Sequence, residues 1–98
     1  MIHSDICELN GILTRGGNKY FITFIDDASR YTYVYLMRNK DQAFQMFKNY
    51  KYEIENQKGK KIKILKSDRG GEYFPLEFSK FCEENGIIHQ TSSPYTPQ

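Results

Sequence analysis

Cysteine is nearly absent from this chain: Cys7 and Cys82 are its only two, separated by most of the 98 residues. That spacing, with no metal-type pairing around either thiol, excludes a disulfide framework and a cysteine-based zinc site and fits a reducing intracellular compartment. Tryptophan is missing altogether and proline occurs three times. No apolar run approaches the length of a membrane span, and no basic stretch with a long apolar run follows Met1, so neither a span nor a secretory signal is expected. An excess of one charge is lacking too. Fourteen Lys and Arg face twelve Asp and Glu, a formal net charge of +2 that does not by itself demand a nucleic-acid partner.

What the chain does have is aromatic content, eight Tyr and seven Phe within a 39% hydrophobic composition, which marks a folded chain rather than a disordered one. Its length suits one domain over 1–98 with a single core, burying roughly 60 to 65% of the unfolded surface. The basic residues are unevenly spread, with Lys58, Lys60, Lys61, Lys63 and Lys66 close together.

The runs Tyr20 to Asp26 and Tyr31 to Met37, rich in β-branched and aromatic residues, flank Asp27-Ala28-Ser29-Arg30 and predict a β-hairpin. Arg15-Gly16-Gly17-Asn18 is a further turn signal, and Ile2 to Cys7 before it reads as a strand, giving a three-stranded meander. Asn39 and Gln42 form a capping pair for a helix from about Asp41 to Gln57, on which Ala43, Phe44, Phe47, Tyr50, Lys51 and Ile54 recur at three-and-four spacing and Gly59 is the stop. Lys61 to Ser67 reads as a fourth strand. A second helix is expected from Pro75 to Asn85, closed by Gly86, and a fifth strand from Ile87 to Thr91. The order β-β-β-α-β-α-β predicts an α/β layer fold: an antiparallel meander extended by two parallel strands reached through right-handed helical crossovers, with strand one central.

Two carboxylates stand out in that arrangement. Asp5 in Ile2-His3-Ser4-Asp5 and Asp68 in Ser67-Asp68-Arg69-Gly70-Gly71 each close a short apolar run where a strand meets a loop. If strand four lies parallel beside strand one, both emerge at one sheet edge, about 5 Å apart at the backbone. Hard divalent cations take one or two carboxylates plus substrate phosphates, so the chemistry suggested is phosphoryl transfer on a nucleic acid. The plainer reading of each is a turn former or a solvated acid.

His-Ser-Asp, Gly-Gly-Asn-Lys-Tyr-Phe-Ile-Thr-Phe-Ile-Asp-Asp-Ala-Ser-Arg-Tyr, Ser-Asp-Arg-Gly-Gly-Glu-Tyr and Pro-Tyr-Thr-Pro-Gln occur in that order along nearly the whole chain. Together they resemble the integrase catalytic core of copia-type long-terminal-repeat retrotransposons. The resemblance implies a ribonuclease-H-like fold with two aspartates and a glutamate binding two Mg²⁺ or Mn²⁺ ions, Asp5 matching the first aspartate and Asp68 the second. It implies trimming of the element's DNA ends and attack of the resulting 3′-hydroxyl on target DNA. The implied partners are DNA and further copies of the chain, and the place of action is the nucleus. Tyr95 and Gln98 match the family's loop beside the active site and are expected to touch DNA.

One departure matters. The family's glutamate lies roughly 35 residues beyond the second aspartate, on a later helix, and these 98 residues stop short of it. Glu72, Glu77, Glu83 and Glu84 come too early to replace it. A truncated core is therefore expected, without the family's C-terminal helices, with weak metal binding through Asp5 and Asp68 and negligible strand transfer. The alternative is a non-catalytic nucleic-acid-binding or dimer-forming module that reuses the fold. The lysine cluster is read as a solvated surface, His3 and His89 as polar-face residues, Asp26 and Asp27 as turn residues, and Tyr31, Tyr33 and Tyr35 as a covered stripe of the sheet.

Overall fold

The computed structural model describes residues 1–9, 15–68 and 74–92, positions 15, 68 and 92 by their backbone alone. Five strands, β1 (Ile2–Glu8), β2 (Tyr20–Asp26), β3 (Thr32–Met37), β4 (Ile64–Asp68) and β5 (Ile88–Ser92), and two helices, α1 (Ala43–Lys58) and α2 (Leu76–Glu84), follow in the predicted order. They form one sheet of order β3-β2-β1-β4-β5. The first three strands pair antiparallel, and β4 and β5 add to β1 in parallel. Strand β1 is thus central, where the antiparallel and parallel halves meet.

The hairpin between β2 and β3 is set by its acidic corner. The backbone N–H of Ala28 and the hydroxyl of Ser29 each donate to the Asp26 carboxylate at 3.0 Å, and Arg30 takes the left-handed conformation at φ 66°. Burial alone would raise the pKa of Asp26, but those two hydrogen bonds and the Lys60 ammonium, 3.8 Å away, outweigh it and hold the group below its ordinary value. Asp27 lies 3.5 Å from His3 at the same corner. Asp27 is a turn residue as expected, while Asp26 is the last residue of β2, paired with Ile2, and its carboxylate accepts the turn's hydrogen bonds.

Helix α1 begins two residues later than the capping pair suggests, because Lys40–Gln42 first form a single 3-10 turn. There the Gln42 side-chain carbonyl accepts the backbone N–H of Asn39 at 3.2 Å, the reach-back of a capping box. Gly59 ends the helix in the left-handed region at φ 63°. Ala43, Phe47, Tyr50 and Ile54, spaced by four, three and four, are its buried stripe.

That stripe and the Phe78–Cys82 face of α2 cover one side of the sheet, meeting Ile22 and Phe24 of β2 and Leu65 of β4. Rings interlock across the layer: Phe47 lies 5.9 Å from Phe24 and 5.4 Å from Phe78 between centroids. Tyr33 and Tyr35 pack onto this core as predicted, while Tyr31 stands outside the strand, exposed beneath the Lys58 ammonium. The opposite side of the sheet, bearing Ile25, Val34, Leu36 and Ile88, is open among the described residues, with Val34 56% exposed and Ile88 59%.

Candidate metal and DNA site

Parallel pairing aligns Ile2 with Leu65, His3 with Lys66 and Ser4 with Ser67. One residue further on, each strand reaches its aspartate, so positions 5 and 68 are level on neighbouring strands, which sit about 4.8 Å apart. Ile2 and Leu65 are both buried against the helices, which fixes the face each strand turns inward. Position 68 is in turn aligned with Ser92 of β5. Position 68 ends β4 as expected, but Asp5 is not where a strand meets a loop: it lies within β1, paired with Thr23, because the antiparallel pairing with β2 carries that strand on to Glu8.

Asp5 is half-buried, and its one hydrogen-bonding contact among the described residues is the Cys7 thiol, 3.9 Å from Oδ2. The Asp68 side chain, Glu72, Tyr95 and Gln98 lie outside the described residues. Among the described residues no three His, Cys, Asp or Glu side chains cluster into a metal-ligating group. What the structure provides is an alignment of positions 5 and 68 on adjacent strands; carboxylates as a residue type suit Mg²⁺ or Mn²⁺ when phosphate oxygens complete the shell. Glu77, Glu83 and Glu84 are all exposed on or beside α2 and stand as a solvated face.

Directly before the two aspartates the structure holds a feature that composition and spacing missed. The Ser4 and Ser67 hydroxyls lie 3.1 Å apart in a buried hydrogen bond, and Ser67 Oγ lies 3.0 Å from His89 Nε2. His89 is therefore not the polar-face residue expected. It sits half-buried on the helix-covered side, edge-on to Phe74 and Phe78, and that burial lowers its pKa. The signal was present as a repeated Ser-Asp pair, His3-Ser4-Asp5 and Lys66-Ser67-Asp68, which places a small hydroxyl at the core position before each acid.

Cys82 is buried, and desolvation pushes its thiol up to about 11, which keeps it unreactive at neutral pH. Lys61 and Lys63 are exposed beside the half-buried Lys66. No helix of the described residues is long and apolar enough to cross a membrane.

A family model described as the integrase core domain matches residues 1–97. The chain is 48% identical over 98 residues to the retrovirus-related Pol polyprotein from transposon TNT 1-94 of Nicotiana tabacum, covering 100% of this chain and 7% of the relative. Identity to the Pol polyprotein from transposon RE1 of Arabidopsis thaliana is 34% over 97 residues, covering 99% of this chain and 6% of that protein. The transposon Ty1-NL2 Gag-Pol polyprotein of Saccharomyces cerevisiae is 32% identical over 88 residues, covering 88% of this chain and 5% of the relative. The chain thus corresponds to a small segment of these long polyproteins. Among solved structures, a chain of the simian T-cell lymphotropic virus intasome in complex with a PP2A regulatory subunit, B56 gamma, superposes with a TM-score of 0.73 at 16% identity, over 95% of this chain and 34% of that one. That likeness concerns the fold, a mixed α/β layer consistent with a ribonuclease-H-like core.

Proposed function

The chain belongs to the integrase core family, and from that premise we propose that it is part of a polynucleotidyl transferase in which Asp5 and Asp68 are two carboxylate ligands of catalytic divalent cations. The observation that carries this reading is the register of β1 and β4, which makes the residues after Ser4 and Ser67 neighbours on adjacent inner strands of the sheet. Bound there, Mg²⁺ or Mn²⁺ would stabilise the charge developing on the attacking and leaving oxygens of an in-line phosphoryl transfer. The protein's own part is to hold two ionised acids side by side, an arrangement that repulsion disfavours until cations occupy it.

The substrate of this reading is DNA, with Tyr95 and Gln98 at its contact loop, the active form an oligomer and the place of action the nucleus. These 98 residues form a partial catalytic core. They contribute two of three carboxylates and are inert in strand transfer on their own. A ribonuclease-H-type nuclease fits less well, because the integrase match includes the Pro-Tyr-Thr-Pro-Gln segment.

The deciding experiment extends the chain with the segment that follows in the tobacco relative and assays Mn²⁺-dependent joining of DNA ends to a target duplex. Joining by the extended protein, abolished by Asp5→Asn and by Asp68→Asn and absent from the 98 residues alone, is the expected result. Undiminished joining by both variants would remove the aspartates from the chemistry. Duplex binding without joining by the extended protein would favour a non-catalytic binding module.

A further inference from the structure

The helix-covered side of the sheet is apolar at Ile2, Ile22, Phe24 and Leu65, yet Ser4 and Ser67 interrupt it at 3% and 0% exposure. A buried hydroxyl is tolerated where it is hydrogen-bonded. Here the pairing runs sideways across three neighbouring parallel strands, from Ser4 on β1 to Ser67 on β4 to His89 on β5. The far end is fixed: the His89 ring stands nearly perpendicular to Phe78 and Phe74, with centroids 4.9 and 5.7 Å away, and those two phenyl rings stack on each other at 3.8 Å. Burial lowers the pKa of the imidazole, and in the neutral ring one nitrogen donates while the other accepts.

This chain does what apolar patterning cannot. Side chains repeat every two residues along a strand, so a two-residue slip of β4 against β1 keeps apolar residues on the covered face. It would nevertheless shift position 68 by about 6.6 Å along the strand, further than the roughly 4 Å that separates the ions of a two-metal site. Among the described residues the ladder between β1 and β4 has three aligned pairs. A slip would break the buried Ser4–Ser67 bond, so the polar chain favours one register among those the apolar residues permit.

We propose that Ser4, Ser67 and His89 act as positioning residues, a hydrogen-bonded lock across β1, β4 and β5 that holds Asp5 and Asp68 level for shared cations. This rests on the reading of those aspartates as metal ligands, and the test separates the two. Mn²⁺ affinity of the 98-residue chain is measured by electron paramagnetic resonance for the parent, Ser67→Ala, Ser67→Thr, His89→Phe and Asp5→Asn, alongside thermal unfolding and the imidazole ¹⁵N shifts of His89. Ser67→Ala is expected to weaken Mn²⁺ binding about tenfold, the scale of losing a partner that orients ligands, and to move the His89 Nε2 resonance. Ser67→Thr, which keeps the hydroxyl, restores both. His89→Phe preserves the aromatic packing and weakens binding in the same direction, which keeps the test open should Ser67→Ala not fold. If Asp5→Asn loses Mn²⁺ while folded Ser67→Ala and His89→Phe bind it like the parent, the positioning role is wrong and the metal reading stands. If Asp5→Asn binds Mn²⁺ like the parent, the metal reading falls and takes the lock with it.

Discussion

Tyr50 lies flat against Phe24, their centroids 4.7 Å apart and their planes 14° from parallel, and the hydroxyl of this fully buried tyrosine has no hydrogen-bond partner among the described residues. The ring therefore supplies packing between α1 and β2, while its oxygen carries an uncompensated loss of solvation. Tyr50→Phe is expected to leave the fold intact and raise stability by up to about 1 kcal/mol. Tyr50→Ala should lower it by about 3 to 5 kcal/mol through the cavity left beside Phe24 and Tyr33. Urea unfolding of both variants checks the pair, and a loss on Tyr50→Phe would mean that the hydroxyl is satisfied.

The Asp26 corner makes stability depend on acid. Its folded pKa lies below the ordinary 3.8, so the unfolded chain binds the proton more readily. The stabilisation is present above pH 3.8 and is lost as pH falls through the folded value. Asp26→Ala should cost about 1 to 3 kcal/mol at neutral pH, the range for hydrogen bonds to a charged group. The difference from the parent should shrink on approaching pH 3 in denaturation curves. Lys60 contributes little, being a half-exposed partner at 3.8 Å.

His89 acts in a different window. Burial lowers its pKa from the ordinary 6.5, so the folded state resists protonation and the unfolded state does not. Its contribution is complete above pH 6.5 and declines as pH falls below that toward the folded value. The parent should lose stability between neutral pH and pH 5 more steeply than His89→Phe, measured by thermal unfolding at fixed ionic strength. Equal slopes would show that the ring protonates as easily folded as unfolded.

Gly59 closes α1 at φ 63°, and beyond its chain neighbours no atom of the described residues lies within 4 Å of where a β-carbon would sit. Gly59→Ala is therefore a purely conformational test. It should destabilise by about 1 to 2 kcal/mol, the penalty of the left-handed region for an L-residue, whereas Gly59→Asn should lose less.

Strand β2 has the bounds its residues suggested, because alternating aromatics end in an acidic turn whose hydrogen bonds are local. Strand β4 was read three residues early: Ile62 is buried, but it plugs the core ahead of the ladder, and an apolar side chain alone does not distinguish those situations. The neighbouring positions of Asp5 and Asp68 were legible because crossover handedness and a central first strand leave few pairings. The role of His89 was not legible. Its partners Ser67 and Phe74 are 22 and 15 positions away in the sequence, and its surroundings exist only once α2 has folded across β5.

The uncovered side of the sheet bears on handling. Val34, Leu36 and Ile25 form a greasy strip reaching β3, which is also the outer strand of the sheet with one row of backbone amides and carbonyls unpaired by any neighbour among the described residues. Sticky side chains beside an open backbone ladder invite a second molecule to dock edge to edge. The isolated polypeptide should therefore sediment as larger species as its concentration rises, and lysine at position 34 is the simplest change to keep it monodisperse.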